Sequence, residues 1–323
     1  MESNRKKRQL WQLPFLVILI VGTVLIIRQQ RSSPYQHDQG KVFGTFYKVT
    51  YQCDKDLKTE IEAALQQVDD EFSMFNEHST VARINRGEKV TRSAMFNEVF
   101  ELAQTVHRET DGAFDITVAP LVNAWGFGFK NEQMPTSRQV DSLLQIRNQY
   151  DFAAIAKGYG SDVVARFLQS RGVTNFMVEI GGEIVTRGIS EKRLPWKVGV
   201  VKPVDDPLAT NSELQTIVNI TDIAMATSGN YRNFYYKGGK KYAHTIDPKT
   251  GYPVQHSLLS ATVLTKECAV ADAYATSFMV MGIEKAQKVL DRHPELMAYF
   301  IYSDSEGKNA VWFSPSLKKI LAE

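Results

Sequence analysis

Cysteine is nearly absent from this chain. Only Cys53 and Cys268 occur among 323 residues, in no CxxC or Cys/His pattern. A zinc centre built on cysteine is therefore excluded, and the spacing leaves open whether the two pair. An excess of one charge is lacking as well. The formal net charge of +2 gives no basic surface of the kind that binds nucleic acid. There is no GxxxxGK[ST] phosphate loop and no GxSxG nucleophile elbow, which removes P-loop nucleotide chemistry and the α/β-hydrolase triad. No internal repeat or low-complexity tract interrupts the chain. What is present is ordinary globular material, 43% hydrophobic and 23% charged. That is enough for one large domain or two small ones with an ample core.

One apolar run stands apart. Leu10 to Ile27 is broken only by Gln12, Pro14, Gly22 and Thr23, and about 18 residues is near the minimum for a membrane-spanning helix. Arg5-Lys6-Lys7-Arg8 precedes it, and the lighter pair Arg28 and Arg31 follows. The positive-inside rule then predicts a cytoplasmic tip and a folded part on the extracytoplasmic side of the inner membrane. Neither an A-x-A-like cleavage site nor a lipoprotein cysteine follows the run, so it reads as an uncleaved single-pass anchor. Gln29 to Gly40 is polar and reads as a stalk, completing a leading segment 1–40. The folded domain is expected to span 41–323.

Within that domain, Val42 to Tyr51 has the composition of a strand. Lys55 to Phe72 carries Ile61, Leu65, Val68 and Phe72 at helical spacing, and Ala94 to Thr110 repeats the pattern. Thr136 to Ile146, with Thr136 as cap, and Ser161 to Ser170 read as two more helices. Short alternating segments follow at Asn175–Ile180, Glu183–Gly188, Trp196–Lys202, Leu214–Ile220, Ile223–Ser228 and Leu258–Thr265. Helices at Ala269–Met281 and Ile283–Arg292 and strands at Ala298–Tyr302 and Ala310–Phe313 close the chain. Helices and strands mix without regular βαβ alternation, which predicts an α+β fold rich in antiparallel sheet.

Four segments have compositions that packing explains poorly. Gly112 to Gly128 sets glycines beside aromatics and embeds Asp115 among apolar residues, which suits a planar ligand but also a tight aromatic loop. Asp151 to Gly160 is small and glycine-rich ahead of a helix, with Lys157 as countercharge for an anion. Thr227 to Arg232 and Tyr242 to Pro253 set His244 beside the turn Asp247-Pro248-Lys249-Thr250-Gly251, and His244 is a general-base candidate. Asp272 and Thr276 stand four residues apart in Val270 to Thr276, one helical turn, so their oxygens share a face. They read either as donors to a hard cation such as Mg²⁺ or as a first-turn carboxylate favoured by the helix dipole.

Taken in order, these segments resemble the ApbE family, the FAD:protein FMN transferases. The resemblance runs from about Val42 to the C-terminus through Gly44-Thr45-Phe46, Ser73-Met74-Phe75, Arg83-Ile84-Asn85, Gly112 to Gly128, Asp151 to Gly160, Glu179 to Glu183, Thr227 to Tyr231, His244 to Pro253 and Asp272 to Thr276.

The resemblance implies an Mg²⁺-dependent transfer of FMN from FAD onto a threonine or serine hydroxyl of a target protein, with AMP leaving. It implies metal ligation by the Asp272 and Thr276 side chains and the Ala154 carbonyl. Ala275 matches a further metal-linked position that is aspartate in some members. Phe43, Phe75, Ala113, Phe114, Asp115, Asp151, Lys157 and Ile246 match positions lining FAD. His244 matches the base for the acceptor hydroxyl. The implied acceptors are extracytoplasmic flavoprotein subunits of redox-driven ion pumps. A strand-rich insert usual in the family is absent here, because Leu144-Gln145-Ile146 runs through Arg147 to Tyr150 directly into Asp151. Hydrolysis of FAD to FMN and AMP, or flavin binding without turnover, are the competing readings.

Overall fold

The computed structural model describes residues 14, 16–19, 21–23, 33–128, 134–204, 213–231 and 234–321. Most of the predicted anchor at 10–27 lies outside them. Among the described residues no helix is long and apolar enough to cross a membrane.

The chain opens with β1 (Tyr35–Val42) and β2 (Thr45–Gln52), followed by α1 (Lys58–Phe72), α2 (Thr80–Asn85), α3 (Ala94–Glu109), α4 (Ala119–Ala124), α5 (Ser137–Leu143) and α6 (Ala156–Ser170). Six strands come next and in order: β3 (Phe176–Ile180), β4 (Glu183–Arg187), β5 (Trp196–Val201), β6 (Leu214–Ile220), β7 (Ala224–Gly229) and β8 (Phe234–Lys237). Then follow β9 (Lys240–Ala243), β10 (Leu258–Thr265), α7 (Cys268–Met281), α8 (Ile283–Leu290), β11 (Met297–Ser303) and β12 (Asn309–Phe313). Eight strands form one sheet in the order β1-β2-β3-β4-β7-β10-β11-β12, and every neighbouring pair is antiparallel. This is the predicted α+β class.

Strand periodicity divides the sheet between two faces. Ala226 and Val263 face helices α3, α6 and α7, while their neighbours Met225 and Leu264 face the β5–β6 ribbon through Trp196, Val198 and Val218. Under the helices, α1 and α6 pack on β2 and β3 through Ile61, Leu65, Val164 and Leu168. Helix α7 packs on β7 and β10. The seam between these halves is the β4–β7 ladder, which pairs Ile184 with Met225 and Val185 with Ala224.

Three expectations need correction. Residues 35–40, predicted as stalk, belong to β1, so the folded part starts before Lys41. The polar sequence Tyr-Gln-His-Asp-Gln-Gly hides a strand that is fixed by pairing and by Asp38, which is buried and accepts the Tyr51 hydroxyl at 2.8 Å. Val42 to Tyr51 is not one strand, because Phe43 and Gly44 turn the chain with φ of 50° and 73°. Helix α6 begins at Ala156, earlier than predicted, and so carries Lys157 and Gly158 in its first turn. The predicted cap Thr136 forms a capping box with Gln139, and Ser93, not singled out in the sequence, accepts from the Phe96 amide.

Candidate active site

Two helices that start side by side build the floor of the site. Helix α7 has no capping side chain of its own. Asp162, on α6, supplies it: its two oxygens accept the Cys268 and Ala269 amides at 2.9 and 2.8 Å. Burial pushes the Asp162 carboxyl up to about 7, while the two amides and Arg166 pull it down. Gly158 permits the close approach, since a β-carbon there would stand 2.4 Å from the Cys268 carbonyl oxygen.

Asp272 is the fifth residue of α7, past its first turn, where no acidic residue stands. The dipole reading therefore fails, and the side chain is 2% exposed. One of its oxygens accepts the Gly158 amide at 3.1 Å and faces the Lys157 ammonium at 3.7 Å. One turn on, the Thr276 hydroxyl meets the Ser228 hydroxyl of β7 at 3.0 Å. The predicted i, i+4 pair thus faces the start of α6 and the end of β7.

Lys157 also pairs with Glu183 Oε1 at 2.8 Å. Glu183 opens β4 after the turn Gly181-Gly182, where both glycines take positive φ. Among the described residues its buried Oε2 has no hydrogen-bond partner. Burial raises the proton affinity of both carboxyls, with Lys157 opposing, and Asp272 raises that of Glu183 further. Burial alone would lower that of Lys157, but the two carboxylates overcome it and hold the ammonium charged. Two carboxylates thus share one ammonium, leaving the pocket one positive charge short. Carboxylate and hydroxyl oxygens suit a hard divalent cation. Among the described residues no three His, Cys, Asp or Glu side chains converge. Asp272 and Thr276 are oxygen donors of the kind such a cation takes, with the rest of its shell left to water or substrate oxygens. Ala154 lies two residues before α6 and packs against the core. Ala275 is fully buried in the core and presents no side-chain donor.

The wall beside this floor is a chain of loops. Asp151 donates its amide to the Ile116 carbonyl at 2.7 Å, and its carboxylate accepts the Ala153 amide at 2.8 Å. Burial raises the Asp151 carboxyl's proton affinity against that hydrogen bond. Asp115 caps the 3₁₀ turn Ile116–Val118, accepts the Thr117 amide and hydroxyl at 2.8 and 2.7 Å, and pairs with Arg147 at 3.0 Å. Ala113 and Phe114 are buried, the Phe114 ring belongs to the core, and the Phe114 carbonyl and amide are held by His107 at 2.7 Å and Thr110 at 3.1 Å. Asp111 receives the Lys249 ammonium at 2.6 Å, tying this wall to the His244–Pro253 loop.

His244 follows β9 directly. Its ring meets Phe127 edge-on at 6.4 Å, and Phe127 begins a stack through Tyr235, Tyr242 and Trp125 with spacings of 5.3, 5.5 and 5.8 Å. Tyr235 and Tyr242 lie directly opposite in the β8–β9 hairpin. Ile246 packs behind this stack with Trp125, Leu121 and Val140. Phe43 packs across the two helix-side cores. Phe75 is 71% exposed on the loop after α1.

The sequence reading gave no role to Glu183, Asp162, Asp111 or Arg147. Glu183 had a signal, a carboxylate directly after two glycines. The other three act through partners far away in sequence, which no local pattern reveals. The β8–β9 hairpin was also missed, although Gly238-Gly239 between aromatic runs is a hairpin signal.

The sequence profile of the ApbE family matches residues 43–300. An FAD:protein FMN transferase of Vibrio cholerae is 33% identical over 95% of this chain and 99% of its own length. One from Haemophilus influenzae is 35% identical over 90% of this chain and 93% of its own. The solved flavin transferase ApbE from Vibrio cholerae superposes with a TM-score of 0.79 at 34% identity, covering 89% of this chain and 100% of that one. The flavinyl transferase ApbE of Pseudomonas stutzeri, in its apo form, gives 0.78 at 28% identity, over 90% of this chain and 98% of its own. Matched by the family profile over most of its length and by relatives at 33–35% identity, this chain belongs to the ApbE family.

Proposed function

We propose that this protein transfers FMN from FAD to a threonine or serine hydroxyl of an acceptor protein, releasing AMP. The observation that carries the reading is the buried Asp272 carboxylate of α7 facing the start of α6, with Lys157 and Glu183 beside it, one positive charge short. Its relatives' names supply the substrate class. Displacement at phosphorus needs charge neutralisation and positioning more than covalent help. Held by Asp272, Thr276 and the Ala154 carbonyl, Mg²⁺ would neutralise charge on the FAD pyrophosphate.

The chain's own residues supply the rest. The Lys157 ammonium attracts phosphate oxygens. Phe43, Phe75, Ala113, Phe114, Asp115, Asp151 and Ile246 line FAD. Ala275 holds α7 in the core, leaving Asp272 and Thr276 as that helix's ligands. His244 accepts the proton of the attacking hydroxyl, whose oxygen bonds to the FMN phosphorus as the bond to the AMP oxygen breaks. The ring stack from Trp125 to Phe127 fixes the imidazole for that transfer.

The run Leu10 to Ile27 anchors the chain in the inner membrane, with Arg5 to Arg8 inside and the catalytic domain on the periplasmic side. Acceptors are then extracytoplasmic flavoprotein subunits, such as those of redox-driven ion pumps, that present an exposed threonine or serine.

Intact-mass spectrometry of such a subunit after incubation with FAD, Mg²⁺ and the enzyme tests the reading. An added FMN mass, lost when the acceptor threonine is replaced by valine, is expected. Free FMN and AMP without acceptor modification would mean hydrolysis instead, and FAD recovered intact would mean binding without turnover.

A further inference from the structure

Lys157 stands between two buried carboxylates and does not serve them equally. Its Nζ lies 2.8 Å from Glu183 Oε1 but 3.7 Å from Asp272 Oδ2. The first is a hydrogen-bonded ion pair, and the second is a charge contact beyond hydrogen-bond reach. Both carboxylates are anchored. Glu183 is fixed by the β3–β4 hairpin, and its carbonyl accepts the Ser161 hydroxyl at 3.1 Å. Asp272 sits mid-helix against the Gly158 amide. Lysine is the mobile member, a point charge on a four-carbon stem. Glu183 is only 3% exposed, yet among the described residues its Oε2 has no hydrogen-bond partner.

We propose that Glu183 is the holding partner of Lys157, drawing the ammonium off Asp272 so that Asp272 is open to a divalent cation. The inference rests on the metal site proposed above and adds a positioning residue to it. An ammonium and a metal ion compete for the same carboxylate, because each neutralises the charge that attracts the other. Without the negative charge of Glu183, Lys157 would close on Asp272 and exclude the ion. With it, the ammonium has a closer partner to remain on when the ion binds. Glu183 therefore acts through Lys157, without contacting the cation.

The test uses Mn²⁺ as probe, with free ion counted by electron paramagnetic resonance on the full chain without FAD. Glu183→Gln should weaken Mn²⁺ binding about 10- to 100-fold, as loss of an outer-shell partner does. Lys157→Met should bind Mn²⁺ more tightly than the unaltered chain. In the Lys157→Met background, Glu183→Gln should have no further weakening effect. An unchanged affinity in Glu183→Gln overturns the proposal, and so does an equal loss in both backgrounds, which would make Glu183 a direct partner of the ion. If Glu183→Gln does not fold, Lys157→Met decides alone, and weaker binding there overturns the idea. Asp272→Ala separates the two levels. If it binds Mn²⁺ like the unaltered chain, the metal assignment itself has failed, and the holding role falls with it.

Discussion

Trp125 donates its indole N–H to the Gly251 carbonyl at 2.8 Å, across 126 residues of chain. Its ring meanwhile starts the stack that ends on His244. One residue thus holds both the far end of the His244–Pro253 loop and the rings behind the imidazole. Trp125→Phe keeps an aromatic ring but strands a buried carbonyl, which costs about 1–3 kcal/mol. Urea denaturation should show that loss, and FMN transfer should slow because His244 loses its fixed pose. Unchanged stability and rate would remove Trp125 from both roles.

Asp272→Ala should abolish Mg²⁺-dependent transfer while leaving the fold intact, because Lys157 keeps Glu183 as a partner. Far-ultraviolet circular dichroism checks the fold and product mass checks the reaction. Transfer at the original rate would rule out Asp272 as a metal ligand.

Gly158→Ala should be strongly destabilising. Its β-carbon would lie 2.4 Å from the Cys268 carbonyl oxygen, so α6 and α7 must separate, at a cost of about 1–3 kcal/mol as for other overpacked sites. A lowered midpoint in chemical denaturation is expected. No change would mean that the two helices adjust freely.

Asp162 gives the fold a pH dependence of defined sign. Its carboxyl is raised from 3.8 to about 7 in the folded protein, chiefly by burial. The folded state therefore holds this proton more tightly than the unfolded chain. The contribution is fully favourable below the unfolded value of 3.8 and is lost as pH rises through about 7. Asp162→Asn should remove that slope, so the stability difference between unaltered chain and variant should vary between these limits and level off above them. Denaturation curves at several pH values measure it, and a constant difference would mean that Asp162 stays charged throughout.

Much of this site could be read from local pattern. The i, i+4 spacing put Asp272 and Thr276 on one face, and Thr136 announced the cap of α5. What escaped depends on distant partners. The strand β1 is polar and becomes a strand only by pairing with β2, with Tyr51 satisfying buried Asp38. The glycines of α6 looked like a loop, but Gly158 is required by a helix more than a hundred residues downstream. The charge balance at Lys157 needs Glu183 and Asp272 together, from two elements that sequence spacing does not connect.

The shortest ladder in the large sheet, β4 to β7, has a consequence for how the domain holds together. On one side lie β1 to β4 with α6, on the other β7 and β10 to β12 with α7. Each half is rich in strand pairings of its own, and Ala156 and Tyr159 of α6 carry the core across to β7, β10 and α7. The Asp162 cap and the Lys157–Asp272 contact cross the divide as clasps. A molecule bound at the start of both helices would add another. Occupancy then acts on cooperativity: a loaded domain opens as one unit, and slowed amide exchange at the β4–β7 junction is where that coupling becomes visible.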